Sequence, residues 1–282
     1  METFKVDGGR LELQVRGNGS PLVLVHGSVI ADPWEPMLRY GDLLNSHQVV
    51  TFRRRGYGGS SPAKPGRTLS DEAADVVALL DHLQIDRSHV VGHSLAADIA
   101  LQAVIEAPDR FLTMSLLEPG LFSVPSAAGF DEAMSPVVRV FESGEHQKAM
   151  LLFLGGVGGA EVMALLEQKL PEGTTEMALA DVPTLFGSDL PAGSRWKLDE
   201  EAARALRHPA LLAIGSETGP IFRESNAALT ALLANVEHLE LVGSGHFIHV
   251  EQPKVVAERL AGFLIRNTPR PRRVNRGVRR GT

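Results

Sequence analysis

Hydrophobic residues in this chain fall into short continuous runs that are separated by longer amphipathic stretches. A short continuous apolar run is typical of a strand that is buried on both faces of a parallel sheet. At the N-terminus, apolar and polar residues alternate on both sides of Gly8-Gly9, which predicts a hairpin. Together these patterns predict eight strands, at residues 4–7, 11–16, 21–25, 48–52, 88–91, 112–117, 210–214 and 236–242.

Between the strands, apolar residues recur at helical spacing. The pattern predicts helices at residues 69–83, 95–107, 221–233 and 254–265. Thr68 and Asp71 stand three residues apart at the start of the first of these helices and resemble a capping box. Strands that alternate with helices predict an α/β fold, in which helices cover both faces of a mostly parallel sheet.

One long stretch lacks this alternation. From about residue 121 to 206 the sequence contains helical segments but no convincing strand, with helices expected at residues 131–142, 145–154, 160–170 and 174–186. This stretch is predicted to be a helical insertion between two strands of the sheet. We therefore expect a core formed by residues 1–120 and 207–267, a helical cap at residues 121–206, and a basic disordered tail at residues 268–282.

Composition and charge narrow the classes of function. The chain of 282 residues is 44% hydrophobic and 22% charged, which is typical of a globular protein, and it contains no cysteine for disulfides or thiolate metal sites. Seven arginines lie in residues 266–282, so the net charge of −6 leaves −13 for the rest of the chain. Because such an acidic body repels phosphate, we expect no nucleic-acid partner. No apolar run reaches the roughly 18 residues of a membrane span, so we expect no membrane partner and a cytoplasmic location.

The sequence Gly92-His93-Ser94-Leu95-Ala96 lies between a predicted strand and a predicted helix. A serine on such a tight turn is lifted above the edge of the sheet, and the next backbone N–H faces a developing oxyanion. The motif G-x-S-x-G normally has glycine where this chain has Ala96. A serine at a helix N-terminus is more often a cap than a nucleophile, so Ser94 needs partners elsewhere in the chain.

Those partners are expected at the same edge of the sheet. His246 lies on a glycine-rich loop after the last strand, where it is the candidate general base, with His249 as the alternative. The N–H groups of Ser28, after the strand at residues 21–25, and of Leu95 are the expected oxyanion donors. His26 is expected to support the loop that carries Ser28. We expect no metal site, because no carboxylate cluster accompanies the histidines.

With these motifs the chain resembles the α/β-hydrolase fold serine hydrolases over residues 1 to about 267. The resemblance rests on four segments in order: Leu24-Val25-His26-Gly27, Arg55-Gly56-Tyr57-Gly58-Gly59-Ser60, Gly92-His93-Ser94, and Gly245-His246-Phe247 followed by Glu251 and Pro253. It implies an α/β-hydrolase fold with a mostly parallel eight-stranded sheet, a helical cap inserted after the sixth strand, and no cofactor.

The chain departs from the family pattern at three places. Ala96 and Ala97 replace the usual glycines of the elbow, and Arg53 stands where aspartate is common, so the arginine run is interpreted as a structural loop. Thr218 occupies the position of the usual triad acid. Some members take the acid from the end of the sixth strand, including the zearalenone lactonases, to which there is a faint similarity. Glu118 stands there and is the expected acid, with Glu217 as the alternative.

These residues predict a cofactor-independent serine hydrolase. Ser94, His246 and Glu118 are expected to form a triad that cleaves a small apolar carboxylic ester or lactone through an acyl-enzyme. Two alternatives stay open. The same triad serves carbon–carbon bond hydrolases and perhydrolases, and a hydrolase fold can also support a non-catalytic ligand-binding protein.

Overall fold

The computed structural model describes residues 1–269 and contains one eight-stranded sheet. Each of the predicted strands is present. Their bounds are β1 Glu2–Val6, β2 Gly9–Arg16, β3 Ser20–Val25, β4 His47–Arg53, β5 Ser88–His93, β6 Phe111–Leu117, β7 Ala210–Gly215 and β8 Val236–Leu241. The predicted basic tail lies, from residue 270 onward, outside the described residues.

The strands follow the spatial order β1-β2-β4-β3-β5-β6-β7-β8. Only the pairs β1–β2 and β2–β4 are antiparallel, so the sheet is mostly parallel as predicted. In register, Val25 of β3 pairs with Gly92 of β5, which in turn pairs with Leu116 of β6. The loops that follow β3, β5 and β6 therefore leave the sheet side by side at its carboxyl edge, where α/β proteins bind ligands.

Helices cover both faces of the sheet, because each buries an apolar stripe against it. Their bounds outside the insertion are α1 Glu35–Leu38, α2 Leu43–Ser46, α3 Leu69–His82, α4 Leu95–Glu106, α11 Pro220–Leu232, α12 Ile248–Glu251 and α13 Pro253–Asn267. Helices α3, α4 and α11 share one hydrophobic cluster with the sheet, while α1, α2 and α13 share another. The predicted capping box of α3 is present, with Thr68 and Asp71 bonded reciprocally.

Six further helices lie between β6 and β7, as the resemblance implied. They are α5 Ala127–Glu142, α6 His146–Gly158, α7 Val162–Lys169, α8 Thr174–Thr184, α9 Leu190–Arg195 and α10 Glu200–Ala205. We refer to residues 121–206 as the cap. The cap has a hydrophobic cluster of its own, which also includes Val29 and Phe247 from the core loops. The division into two domains stays a prediction.

The cap differs from its predicted form in three helical segments. Helix α6 continues to Gly158 instead of ending at residue 154, and Gly158 is required there because a Cβ would lie 2.9 Å from the ring of Phe247. Helices α9 and α10 were not predicted. A π-helical turn, Leu185–Asp189, joins α8 to α9, and the N–H of Leu190 reaches back to the carbonyl of Leu185. Such turns occur frequently at functional sites.

Within residues 1–269, no single helix is long and apolar enough to cross a membrane. Helices α6 and α7 reach the required length and composition only as a pair, and they meet at an angle of 96°.

Candidate active site

Ser94 occupies a strained turn between β5 and α4. Its backbone has φ 57° and ψ −131°, a conformation that L-residues other than glycine rarely adopt. The turn is held by the Ser94 N–H, which donates to the Leu117 carbonyl at 2.9 Å. A Cβ at Gly92 would lie 1.9 Å from the carbonyl oxygen of Ala96, so only glycine fits there. The close approach that the elbow needs is therefore made at Gly92, and the buried Ala96 is accommodated.

The loop after β3 packs against this turn. A Cβ at Gly27 would lie 3.3 Å from the Cβ of Ser94, which places the next residue, Ser28, beside the elbow. In the part of the chain that the structure describes, neither the N–H of Ser28 nor that of Leu95 has a hydrogen-bond partner. Both of the expected oxyanion donors are thus unpaired at the mouth of the turn.

His26 supports this loop, as the sequence predicts. Its Nε2 accepts a hydrogen bond from the backbone N–H of Arg54 at 2.9 Å, so its Nδ1 carries the proton and donates to the Gly27 carbonyl at 2.7 Å. Burial and the nearby Arg54 guanidinium lower the pKa of His26 well below its usual value. The ring is therefore a neutral, fixed part of the loop.

His246 lies on the loop between β8 and α12. The Glu251 carboxylate accepts hydrogen bonds from the N–H groups of Gly245 and Phe247, at 2.7 and 3.0 Å, and so holds the backbone on both sides of the histidine. The carbonyl of His246 accepts a further bond from Nε2 of His93 at 2.9 Å. The His246 side chain is only 3% exposed, and its Nδ1 lies 3.2 Å from Oε2 of Glu118.

Glu118 directly follows β6 and is fully buried, with a positive φ of 53°. Besides His246, it accepts hydrogen bonds from the Gly215 N–H at 2.5 Å and from the hydroxyl of Thr218. Thr218 stands where the family usually has the triad acid, and here it is a donor to an acid from another strand.

The pKa values of Glu118 and His246 are both shifted from their usual values. Burial raises the pKa of Glu118 to about 8, although the bonds from Thr218 and Gly215 lower it in part. Burial lowers the pKa of His246 to about 3. The imidazole is therefore neutral at neutral pH, which is the form that can accept a proton.

The alternative acid and the alternative base lie elsewhere. Glu217 is exposed, and across residues 1–269 its carboxylate makes no hydrogen bond to His246. His249 is fully buried, with its ring packed against Trp34 at 4.8 Å and against His93 at 4.3 Å. Of the two candidate acids, Glu118 is the one bonded to His246. Of the two candidate bases, His246 is the one bonded to Glu118.

Ser94 and His246 do not form a hydrogen bond to each other in the described residues. The ring of Phe222 stacks on His246, with the ring centroids 4.0 Å apart, and also forms part of the pocket wall. Catalytic hydrogen bonds are often long or absent without a substrate and tighten when it binds.

Ser94 opens into an apolar pocket between the core and the cap. Its walls include Leu95, Phe122, Phe130, Phe153, Ile221 and Phe222. The polar end is formed by Ser94, Ser28 and Asp189, and within the described residues 1–269 the lining contains no lysine, arginine or histidine. The pocket fits an uncharged apolar group that extends from the serine.

Asp189, from the π-helical turn of the cap, was not identified from the sequence. Its carboxylate accepts hydrogen bonds from the Ser28 hydroxyl at 2.6 Å, from the Tyr57 hydroxyl at 2.7 Å and from the Arg54 guanidinium at 2.6 and 3.2 Å. The arginine run was the available signal, because a buried guanidinium in an acidic chain requires a carboxylate.

The three consecutive arginines are all engaged by the chain itself. Arg53 bonds Glu12 and Asp32, Arg54 bonds Glu72 and Asp189, and Arg55 bonds Asp75. This agrees with a structural loop. Among residues 1–269, no group of three or more histidine, aspartate or glutamate side chains is arranged to hold a metal ion.

Comparison with known proteins gives a family and a fold. A model of the alpha/beta hydrolase family matches residues 22–259. Esterase YbfF of Escherichia coli K12 is 27% identical over 256 residues, which are 89% of this chain and 95% of that protein. The acetyltransferase component of the acetoin cleaving system of Cupriavidus necator is 31% identical over 184 residues, 64% of this chain. The match spans only 49% of that protein's length.

Solved structures of similar fold include two enzymes described as acting on esters or lactones. Est816, described as an N-acyl homoserine lactone degrading enzyme, has a TM-score of 0.72 at 23% identity, over 93% of this chain and 100% of that one. Carboxylesterase CesB from Bacillus subtilis has a TM-score of 0.75 at 17% identity, over 95% and 92%. At these identities the likeness shows the fold alone.

Proposed function

This chain belongs to the alpha/beta hydrolase family and is a hydrolase, and from that premise we propose that it cleaves an apolar carboxylic ester or lactone without a cofactor. A relative that matches most of the chain is named an esterase, and a neighbour in fold is described as degrading a lactone. A chain without cysteine is compatible with a reducing compartment, and a cytoplasmic location is part of the proposal.

The observation that carries the proposal is the meeting of three segments at one sheet edge. Ser94 has a strained backbone at the floor of an apolar pocket. The pair formed by His246 and Glu118 lies at the same edge, with Nδ1 and Oε2 3.2 Å apart. A ligand-binding protein has no need of a buried imidazole bonded to a buried carboxyl beside a strained serine, so this arrangement favours catalysis.

In the proposed acylation step, Ser94 Oγ attacks the carbonyl carbon while Nε2 of His246 takes its proton. The N–H groups of Ser28 and Leu95 stabilise the oxyanion, and Glu118 accepts the Nδ1 proton in a hydrogen bond that stabilises the imidazolium. His246 then gives its proton to the leaving alkoxide oxygen as the C–O bond breaks. This step requires Nε2 to come within reach of Oγ in the substrate complex.

Deacylation repeats the sequence with water. His246 removes a proton from the water as its oxygen attacks the acyl carbon, and then returns the proton to Ser94 Oγ as the acid product leaves. For a lactone, the alcohol and the acid belong to one molecule, so ring opening adds one water and releases a single hydroxy acid.

The pocket favours neutral substrates over anionic ones. Among residues 1–269 its lining has four phenylalanines and no cation, and the one carboxylate there, Asp189, is already bonded to Arg54. A substrate carboxylate would enter this site without a charged partner, at a large desolvation cost. The same lining leaves open a neutral substrate for carbon–carbon bond hydrolysis or perhydrolysis.

Labelling with a fluorophosphonate probe tests the nucleophile directly. Wild type should be labelled at Ser94, and Ser94→Ala should lose both labelling and turnover while keeping its circular dichroism spectrum. The matched control is Ser28→Ala, which removes another pocket hydroxyl but keeps the nucleophile, so it should still be labelled at Ser94, at a reduced rate. An Ser94→Ala variant that retains turnover would exclude the proposed nucleophile.

A substrate panel then separates the chemistries. It contains p-nitrophenyl esters of increasing acyl length, neutral lactones, and the same esters with a terminal carboxylate. We expect the neutral apolar members to be hydrolysed and the carboxylate-bearing ones to be disfavoured. Labelling of Ser94 without hydrolysis of any ester or lactone would favour carbon–carbon or perhydrolase chemistry instead.

A further inference from the structure

The loop that carries Ser28 contains a second strained residue. Val29 has φ 70° and is fully buried, and the N–H of Ile30 donates to the Ser28 carbonyl at 2.9 Å, which closes a tight γ-turn around it. A positive φ is a genuine outlier for a β-branched residue, and this form of the γ-turn is rare. Such a backbone persists only where its surroundings hold it in place.

The surroundings that hold this turn lead to the cap. The Val29 N–H donates to the Tyr57 hydroxyl at 3.1 Å, and that hydroxyl donates to Oδ2 of Asp189 at 2.7 Å. The Ser28 hydroxyl donates to the same oxygen at 2.6 Å. Two groups on the N-terminal side of the turn are thus fixed by hydrogen bonds that end on one carboxylate of the cap.

A second path from Asp189 reaches the peptide that presents the Ser28 N–H. The Arg54 guanidinium bonds Asp189 with two nitrogens, and one of these also donates to the Gly27 carbonyl at 3.2 Å. The Gly27 carbonyl and the Ser28 N–H belong to the same planar trans peptide and point in opposite directions. Nδ1 of His26 donates to the same carbonyl at 2.7 Å, so His26 and Arg54 together fix the carbonyl and aim the N–H the other way.

We propose that Asp189 is a positioning residue that assembles the oxyanion site when the cap lies on the core. This inference rests on the proposed function and adds to it a source of regulation. Oxyanion donors are effective because they are fixed before the charge develops. Withdrawal of the cap removes Asp189 from Ser28, Tyr57 and Arg54, so the turn can relax and the Ser28 donor keeps only part of the support that fixes its direction, the bond from His26 to the Gly27 carbonyl.

The test uses variants that keep every charge. Asp189→Asn leaves the buried Arg54 with Glu72 as its remaining anionic partner among residues 1–269, so a loss of folding in that variant would not separate a structural role from a positioning role. Tyr57→Phe and Ser28→Ala each remove one hydroxyl from the network and retain the backbone N–H groups. The full chain is used for each variant and for the double variant.

We expect kcat for a p-nitrophenyl ester to fall about 10- to 100-fold in each single variant, less than the roughly 10²–10³-fold that complete loss of an oxyanion donor causes. KM should change little. The affinity for a trifluoromethyl ketone, which forms an anionic adduct with the serine, should fall by a similar factor to kcat. A residue with only a structural role would lower the melting temperature without this matched loss.

Two matched controls come from the same stretch of the cap. The Thr184 hydroxyl donates to the Gly56 carbonyl at 2.7 Å, and Asp181 accepts from the Gly58 N–H at 3.0 Å. These bonds join cap to core without touching Ser28 or Val29, so Thr184→Val and Asp181→Asn should keep kcat close to wild type. Equal losses in the controls would assign the effect to cap docking in general and overturn the inference.

The remaining outcomes are also decisive. An active wild type whose kcat is unchanged in both Tyr57→Phe and Ser28→Ala overturns this inference and leaves the proposed function intact. A wild type that is neither labelled at Ser94 nor active on any ester or lactone overturns the proposed function, and this inference with it.

Discussion

Two buried carboxyl groups border the site, one from the core and one from the cap. Glu118 ends β6, and Asp189 ends the π-helical turn; they are 0% and 4% exposed. Each accepts at least three hydrogen bonds. The partners of Glu118 are the Gly215 N–H, the Thr218 hydroxyl and His246, whereas Asp189 is bonded by a guanidinium as well as by two hydroxyls.

Because their hydrogen-bond partners differ, Glu118 and Asp189 have different proposed roles. Among residues 1–269 no permanent cation is bonded to Glu118, so burial can raise its pKa to about 8, whereas burial lowers the pKa of its partner His246 to about 3. Asp189 faces Arg54, which stays charged at every pH of interest. The proposal thus gives the same chemical group two roles: in the core it orients and stabilises the general base, and in the cap it fixes geometry.

The largest expected effect is that of Glu118→Gln. The amide cannot stabilise the imidazolium or select the tautomer that leaves Nε2 free, so kcat should fall by about 10⁴-fold. The matched control is Glu217→Gln. Its kcat should stay near that of wild type, because Glu217 is exposed and makes no hydrogen bond to His246 among residues 1–269. A collapse of kcat in Glu217→Gln with Glu118→Gln unaffected would assign the triad acid to Glu217. The comparison between Glu118 and Asp189 would then no longer hold.

Arg54→Met probes the cap carboxylate instead. The change leaves Asp189 and Glu72 buried without their shared cation, and we expect it to lower the free energy of unfolding by about 3–5 kcal/mol in urea denaturation. Arg53→Met is the matched control from the same run. Its ion pairs are partly exposed, so its loss should cost about 1 kcal/mol or less. Equal losses in the free energy of unfolding would show that the ion pair between Arg54 and Asp189 stabilises the fold no more than the ion pairs of Arg53.

The pH dependence of kcat/KM should follow the core carboxyl. The active form needs Glu118 ionised and His246 neutral, so activity should rise about tenfold per pH unit toward about pH 8 and level off above it. His246, with its pKa lowered to about 3, adds no acid limb in the range where the fold persists. The rise should vanish in the residual activity of Glu118→Gln and persist in Tyr57→Phe. Loss of the rise in Tyr57→Phe would mean that the two carboxyl sites are not separable.

The smallest effect is expected for Ala96→Gly, in the helix that both carboxyl sites flank. Gly92 already provides the close approach, so activity should change little and stability should fall by at most about 1 kcal/mol from lost helix propensity. Gly92→Ala, by contrast, should abolish fluorophosphonate labelling, since its Cβ would overlap the Ala96 carbonyl. A large gain in rate for Ala96→Gly would show that Ala96 distorts the elbow.

The sheet could be predicted because each strand carries its own local signal. Apolar and polar alternation identified β1 and β2, and apolar runs identified the other six strands. Helical spacing identified α3, α4, α11 and α13, but the four-residue helices α1, α2 and α12 were not predicted. The cap was harder. Helices α9 and α10 have six residues each, too few for a clear period, although Asp199 accepts a hydrogen bond from the Ala202 N–H and is a cap signal that was available. Pro183 and Pro191 obscure the continuity of α8, the π turn and α9.

The residues of the candidate site also divide into those that the sequence identified and one that it did not. Ser94, His246 and Glu118 could be named because each follows a recognisable strand at the carboxyl edge, and parallel register alone brings such positions together. Asp189 could not. Its bond to Arg54 joins residues 135 positions apart, and its direction depends on a π turn that leaves no periodic trace in the sequence. The arginine run showed that acids were needed but not which ones.

The contact between Asp189 and the loop after β3 also limits how this enzyme can be rebuilt. A grafted cap without an acid at the position of Asp189 would leave a buried guanidinium and two hydroxyls without this partner. Conversely, this cap placed on another core would present an unmatched carboxylate. Cap and core are therefore not interchangeable modules here: Asp189, Arg54 and Tyr57 must be inherited, or transplanted, as one unit.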